Sequence, residues 1–226
     1  MENASPAAGR TRKAAFLLTG LALSVVLVLG AVAFGRAWAG EPFPTADPSA
    51  TAKHLNDRTL TVFDALGLPS TAVLDEKYST GIKADVYACH RRGLAHFLDG
   101  VDASAPPEPR TAKIHAGFTV MGLTDAQGQT ALEQARRTLT ERGWAAATDA
   151  AFGRSLLHLT PPPPRPGALP AVVSGSVAVS VEYGDGYLSI RADTVCAHYP
   201  GDTPVDWEGK PQGLPDLALP AQLRRG

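Results

Sequence analysis

Residues 177–196 read VAVSVEYGDGYLSIRADTVC, and this stretch decides the fold. Val177, Val179, Val181 and Tyr183 alternate with small or polar residues, which places them on one face of a strand. Gly184-Asp185-Gly186 supplies a short hairpin turn, and Tyr187–Cys196 runs back as the partner strand. Working towards the N-terminus, strand-like residues extend back over Ala171–Tyr183, and Leu156–Leu159 forms another strand. Between them, PPPPRPGALP at 161–170 is a stiff exposed connection whose composition also suits a polyproline ligand. Residues 112–121 (AKIHAGFTVM) alternate cleanly: Ile114, Ala116, Phe118 and Val120 face one way, His115 and Thr119 the other. Residues 84–91 (ADVYACHR) predict a further strand that continues into LAHFL after Gly93.

Two helices interleave with these strands. Asp47-Pro48 is an N-cap followed by proline at the first helical position; Leu55, Thr59, Val62 and Leu66 form one stripe, and Gly67 offers a left-handed cap. This predicts a helix over 48–66. Thr124 or Asp125 caps a second helix ending near Arg142, with Leu132, Ala135 and Leu139 as its apolar stripe and Glu133–Arg137 as an i,i+4 pair. Gly143 fits the position after its C-cap, and Trp144 is placed to fold back on Leu139. The order is helix, two strands, helix, three strands. Adjacent strand runs imply antiparallel pairing, so the expectation is an α+β domain over 48–197: one sheet of about five strands with both helices on one face. Its 150 residues suffice for one core. The remaining 198–226 form a Pro/Gly-rich tail.

The N-terminal part is of a different kind. Ala14–Gly35 (AAFLLTGLALSVVLVLGAVAFG) carries no charge over 22 residues. As a helix it spans roughly 33 Å, enough for a hydrocarbon core of ~30 Å. Arg10, Arg12, Lys13 and Arg36 stand against Glu2 alone up to this point, whereas from Ala37 onward acids outnumber bases by 21 to 17. The asymmetry puts the N-terminus, with Lys13, in the cytoplasm and Lys53 outside. The expected organisation is a cytoplasmic tail 1–13, a single-pass transmembrane signal anchor 14–35, a proline-containing stalk 36–47 and the extracytoplasmic domain. Ala37-Trp38-Ala39 also fits a signal-peptidase site with cleavage before Gly40, although the apolar run exceeds the ~7–15 residues usual for a cleaved signal. Both readings put the same domain outside the cytoplasm, in the cell envelope.

The overall balance of −1 excludes a nucleic-acid binder built on a broad basic surface. Cys89 and Cys196 are the only cysteines. The oxidising side of a membrane favours a disulfide between them. His90 and His198 lie close by in sequence, so a metal site is an alternative, but Cys-His and Cys-x-His depart from the two-to-four-residue spacing of zinc pairs. A catalytic thiol is the third reading, and nothing marks either cysteine as activated. The histidines (54, 90, 96, 115, 158 and 198) form no metal-ligand motif; His115 and His158 share a surface if their strands pair. No G-x-S-x-G, S-x-x-K or phosphate loop is present, and the Asp99–Asp102 stretch lacks the remaining ligands of a calcium loop. Asp85, Asp185, Asp193 and Glu182 are strand-end acids able to converge. Arg91-Arg92 suits either an anionic envelope polymer or lipid, or a solvated strand end. No catalytic, cofactor or metal residue follows from these patterns; the site residues are the disulfide cysteines.

ADVYACHRRGL (84–94), RGW (142–144) and CAHYPGDTPVD (196–206) make residues 45–220 similar to uncharacterised membrane-anchored exported proteins of actinobacteria. An arginine excess of 15 to 6 over lysine fits the high-GC composition of such sources. The resemblance implies location and carries over no functional residues. The expected function is therefore a membrane-tethered extracytoplasmic domain that binds or scaffolds a protein, lipid or glycan of the envelope. The alternative is an envelope enzyme, hydrolase-like, with a His/acid site formed only by folding.

Overall fold

A computed structural model describes residues 27–99, 106–151, 153–162 and 177–225. The chain divides into two compact units, one made of residues 1–42 and 91–105, the other of 43–90 and 106–226.

The larger unit is α+β. Its helices are α1 (Pro48–Leu66) and α2 (Asp125–Glu141). Its strands are β1 (Val73–Asp75), β2 (Gly81–Asp85), β3 (Thr111–Met121), β4 (Ala145–Ala151), β5 (Arg154–Thr160), β6 (Ala178–Gly184), β7 (Tyr187–Asp193) and β8 (Ala197–His198). All pair antiparallel in the order β1-β3-β7-β6-β5-β4, with β2 and β8 also on β3. Among the described residues the sheet thus has eight strands rather than about five. Three additions, β1, β4 and β8, are short or alanine-rich, and pairing rather than local pattern makes them strands.

Both helices begin and end where their sequence signals lie. Asp47 Oδ1 accepts the Ala50 N–H at 2.6 Å to open α1, and Gly67 closes it at φ +58°. Thr124 and Gln127 form a reciprocal capping box on α2. At its other end Trp144 N–H donates to Leu139 O and Gly143 N–H to Thr140 O, the paired bonds of a Schellman closure. The ion pair on this helix joins Glu133 to Arg136 at 2.7 Å rather than to Arg137, because the guanidinium of the i+3 residue reaches both carboxylate oxygens.

Strand parity divides the sheet into a dry face and an open one. Ile114, Phe118, Leu157, Val181 and Ile190 are buried with the helices in one core; the Phe63 and Phe118 rings lie 5.7 Å apart. Each such side chain contributes about 1.5–3 kcal/mol on burial. α1 packs on β3 and β7, α2 on β4, β5 and β6, and the helices pack on each other. The C-terminal segment follows α1: Ser49 Oγ donates to Gly213 O, Ala218 N–H to Asn56 Oδ1, and Leu223 is buried. Of the expected stalk, residues 36–39 are helical, whereas Phe43 is buried and Pro44–Ala46 bond with His198.

The strand expected at 84–91 ends at Asp85. Its carboxylate accepts the N–H groups of Tyr87 and Ala88 at 2.9 and 3.1 Å, turning the chain out of the ladder. Cys89 then bonds Cys196, with Cα atoms 5.7 Å apart. The two strands they follow are β2 and β7. They lie on opposite edges of β3, whose residues 115–117 pair with both, so the bond clasps across that strand.

In the smaller unit residues 27–39 are helical, and Leu94–His96 forms a 3-10 turn in place of the strand extension predicted there. Among the described residues no helix is long and apolar enough to cross a membrane. Most of the expected span Ala14–Gly35, together with residues 163–176 of the proline-rich connection and the strand start, lies outside the described residues.

Candidate functional site

The sheet face away from the helices carries the polar parity positions of β3, β5, β6 and β7. Where β1 gives way to β2, residues 76–80 leave the ladder and return. Asp75, itself buried, nucleates this excursion: its Oδ1 accepts the N–H groups of Lys77 and Tyr78 at 3.0 and 3.2 Å. The excursion is then pinned to β3. Thr119 N–H donates to Ser79 Oγ at 3.1 Å, and Thr80 Oγ1 donates to Gly117 O at 3.3 Å. Its product is an exposed Tyr78 whose ring meets Tyr187 edge-on at 5.9 Å.

The two tyrosines wall a cleft of about 380 Å³ floored by Thr119, Ser189 and Glu182, with Arg154 opposite. A smaller recess of about 140 Å³ continues along Ser180 and Arg191. Thr119 Oγ1 donates to Tyr78 O at 3.2 Å, so at the 2.8 Å contact with Ser189 it accepts and Ser189 donates. Ser189 Oγ retains acceptor capacity towards the cleft. Arg154 Nη1 donates to Glu182 Oε1 at 2.7 Å, leaving guanidinium donors and a carboxylate oxygen on the rim. The cleft thus presents aromatic rings, hydroxyls and a neutralised charge pair. It can stack on an apolar ring face and exchange hydrogen bonds with a polar ligand.

The acids named from sequence separate into two groups. Glu182 and Asp185 border the cleft, whereas Asp85 and Asp193 lie beside His115. Burial pushes the His115 imidazole below its ordinary value; Arg191 and Lys83 push the same way, and Asp193 and Asp85 oppose them. Asp193 also pairs with Lys113 at 3.4 Å. His115 and His158 share the open face, but β7 and β6 separate their strands, putting them roughly 14 Å apart at the ~4.8 Å strand spacing. Among the described residues no hydrogen bond joins an imidazole to a carboxylate on this face, and no group of three or more His, Cys, Asp or Glu is placed to hold a metal. The cysteine sulfurs are joined to each other, and His198 Nδ1 lies 2.7 Å from Thr111 Oγ1.

The cleft residues Tyr78, Tyr187, Thr119 and Ser189 were not singled out as a site by sequence reasoning. One signal was available: Tyr187 shares its parity with Ser189 and Arg191, so it is an aromatic on a polar face. No protein-family model, curated protein or solved structure matches the chain.

Proposed function

We propose that this chain is a single-pass membrane protein whose extracytoplasmic α+β domain binds a glycan of the cell envelope on the open face of its sheet. The membrane reading is supported by the 22 uncharged residues of Ala14–Gly35 and the charge asymmetry across them. It is supported further by the helix that continues through Ala37-Trp38-Ala39, where a signal peptidase would need extended chain. The binding reading is carried by one observation: Tyr78 and Tyr187 stand over the Thr119–Ser189 hydroxyls and the Arg154–Glu182 pair in a single cleft. Sugars offer apolar C–H faces to stack on aromatic rings and hydroxyls to pair with carboxylate, guanidinium and Ser/Thr oxygens.

The full chain in lipid nanodiscs is titrated with defined amino-sugar oligosaccharides by calorimetry. Saturable binding is expected, weakened by roughly tenfold or more in Tyr78→Ala and Tyr187→Ala, the equivalent of about 1.4 kcal/mol. Absence of binding across the oligosaccharides, or binding indifferent to both tyrosines, overturns the assignment.

A further inference from the structure

The smaller unit contains an exposed apolar loop that the domain reading does not use. Leu94, Phe97 and Leu98 are 55%, 66% and 78% exposed, three large apolar side chains within five residues. Isolated exposed apolar residues are ordinary; a contiguous group marks a contact surface. The turn that presents them is braced by His96 and Asp99, whose Nδ1 and Oδ2 lie 2.8 Å apart.

This loop is seated on the exit of the helix over residues 27–39. Gly40 and Gly93 both have positive φ, +79° and +94°. A Cβ on Gly40 would lie 2.6 Å from the Arg92 carbonyl carbon, and a Cβ on Gly93 would lie 2.4 Å from the Gly40 nitrogen and Trp38 oxygen. The two backbones therefore touch where only glycine fits, and the contact sets the loop's position against the helix end. On the helix itself Leu27, Leu29 and Phe34 are more than 60% exposed, and the Phe34 and Trp38 rings stack at 5.9 Å. Exposed apolar surface is thus continuous in kind from the helix to the loop. Trp38, together with Arg36, Arg91 and Arg92, lies where the helix ends and the loop begins. Aromatic and arginine residues at the end of an apolar helix are the composition of a membrane–water boundary.

We infer that Leu94, Phe97 and Leu98 insert into the outer interfacial layer of the bilayer beside the anchor helix, giving the protein a second, monotopic membrane contact. The occupant is lipid. An apolar loop held against the exit of a membrane-spanning helix lies at the depth where head groups give way to acyl chains, and partial insertion there removes its apolar side chains from water. The inference rests on the membrane-anchor part of the proposed function and is independent of the glycan cleft.

The test uses the full chain in nanodiscs containing a phospholipid with a photoactivatable diazirine near the glycerol end of its acyl chain. Labelled residues are mapped by mass spectrometry. Label on residues 94–98 and on the helix over 27–39 is the expected result. Label on the helix alone overturns the insertion and leaves the anchor standing. Absence of label on both overturns the anchor reading and the insertion with it. A Phe97→Glu/Leu98→Glu chain, checked for its intact disulfide, should lose label over 91–99 and keep it on the helix. Label that survives this substitution shows a contact independent of the apolar side chains and overturns the inference.

Discussion

His115 sits among Lys83 and Asp85 of β2, Asp193 and Arg191 of β7, and Lys113 on its own strand, and burial makes its charged form unfavourable. His54 on α1 is lowered in the same way, first by burial and then by Arg58, with Asp57 opposing. Arg58 Nε donates to His54 Nε2 at 3.4 Å, a contact that requires the imidazole to be neutral. A histidine with a lowered folded value binds its proton more readily in the unfolded chain. The resulting loss of stability is absent well above the ordinary value of 6.5 and grows as pH falls through 6.5 towards the folded value. Thermal unfolding of the full chain should therefore show Tm decreasing from about pH 7.5 to about 5.5, above the range where carboxylates titrate. His54→Gln/His115→Gln, which cannot take up those protons, should flatten the slope. An unchanged slope in that double variant would assign the acid sensitivity to other groups.

Among the elements, α2 shows how one small residue sets a packing distance. Gly128 faces the sheet, and a Cβ there would come within 2.3 Å of the ring of Tyr183, which is buried and donates its hydroxyl to Asp125 Oδ1 at 2.9 Å. Alanine would improve helix propensity by ~0.8–1.0 kcal/mol, yet the clash is with the rigid middle of a buried ring rather than a flexible tip. Overpacking of this kind costs about 1–3 kcal/mol, so Gly128→Ala should lower stability or leave it nearly unchanged, whereas Gly→Ala at an exposed helical site raises it. A rise of a full kcal/mol in chemical denaturation would show that α2 moves away freely. The legibility of the sequence follows the same divide between local and distant causes. α1 was readable over 48–66 because Asp47, Pro48 and Gly67 specify both ends within the helix's own neighbourhood. The β6–β7 hairpin was readable because Asp185 and Gly186 take the positive φ its turn requires. β4 (AAATDAA) was missed because nothing in it prefers a strand until β5 pairs along its length. β1 is too short for periodicity to register. The cleft was missed for a related reason: Tyr78 reaches it through an excursion held by Thr119 and Gly117, some 40 residues away in sequence.

For the whole molecule, β3 is the spine. It pairs with β1 and β2 along one edge and with β7 and β8 along the other, and the chain reaches those edges from segments 107 positions apart at the two cysteines. Closing a loop of that size limits the unfolded ensemble more than it alters the native contacts. The chain-entropy estimate is about 4.7 kcal/mol for a loop of ~100 residues, a large share of the ~5–15 kcal/mol total of a typical domain. Cys89 is fully buried, so serine there adds the cost of a buried hydroxyl; alanine isolates the loss of the bond more cleanly. Cys89→Ala, Cys196→Ala and the double variant should then unfold at nearly the same denaturant concentration, all well below the oxidised wild type, because each removes the same single bond. Reduced wild-type protein should join them. If instead the double variant falls below the oxidised wild type by the sum of the two single effects, the two side chains stabilise the domain by packing separately and the clasp across β3 contributes little.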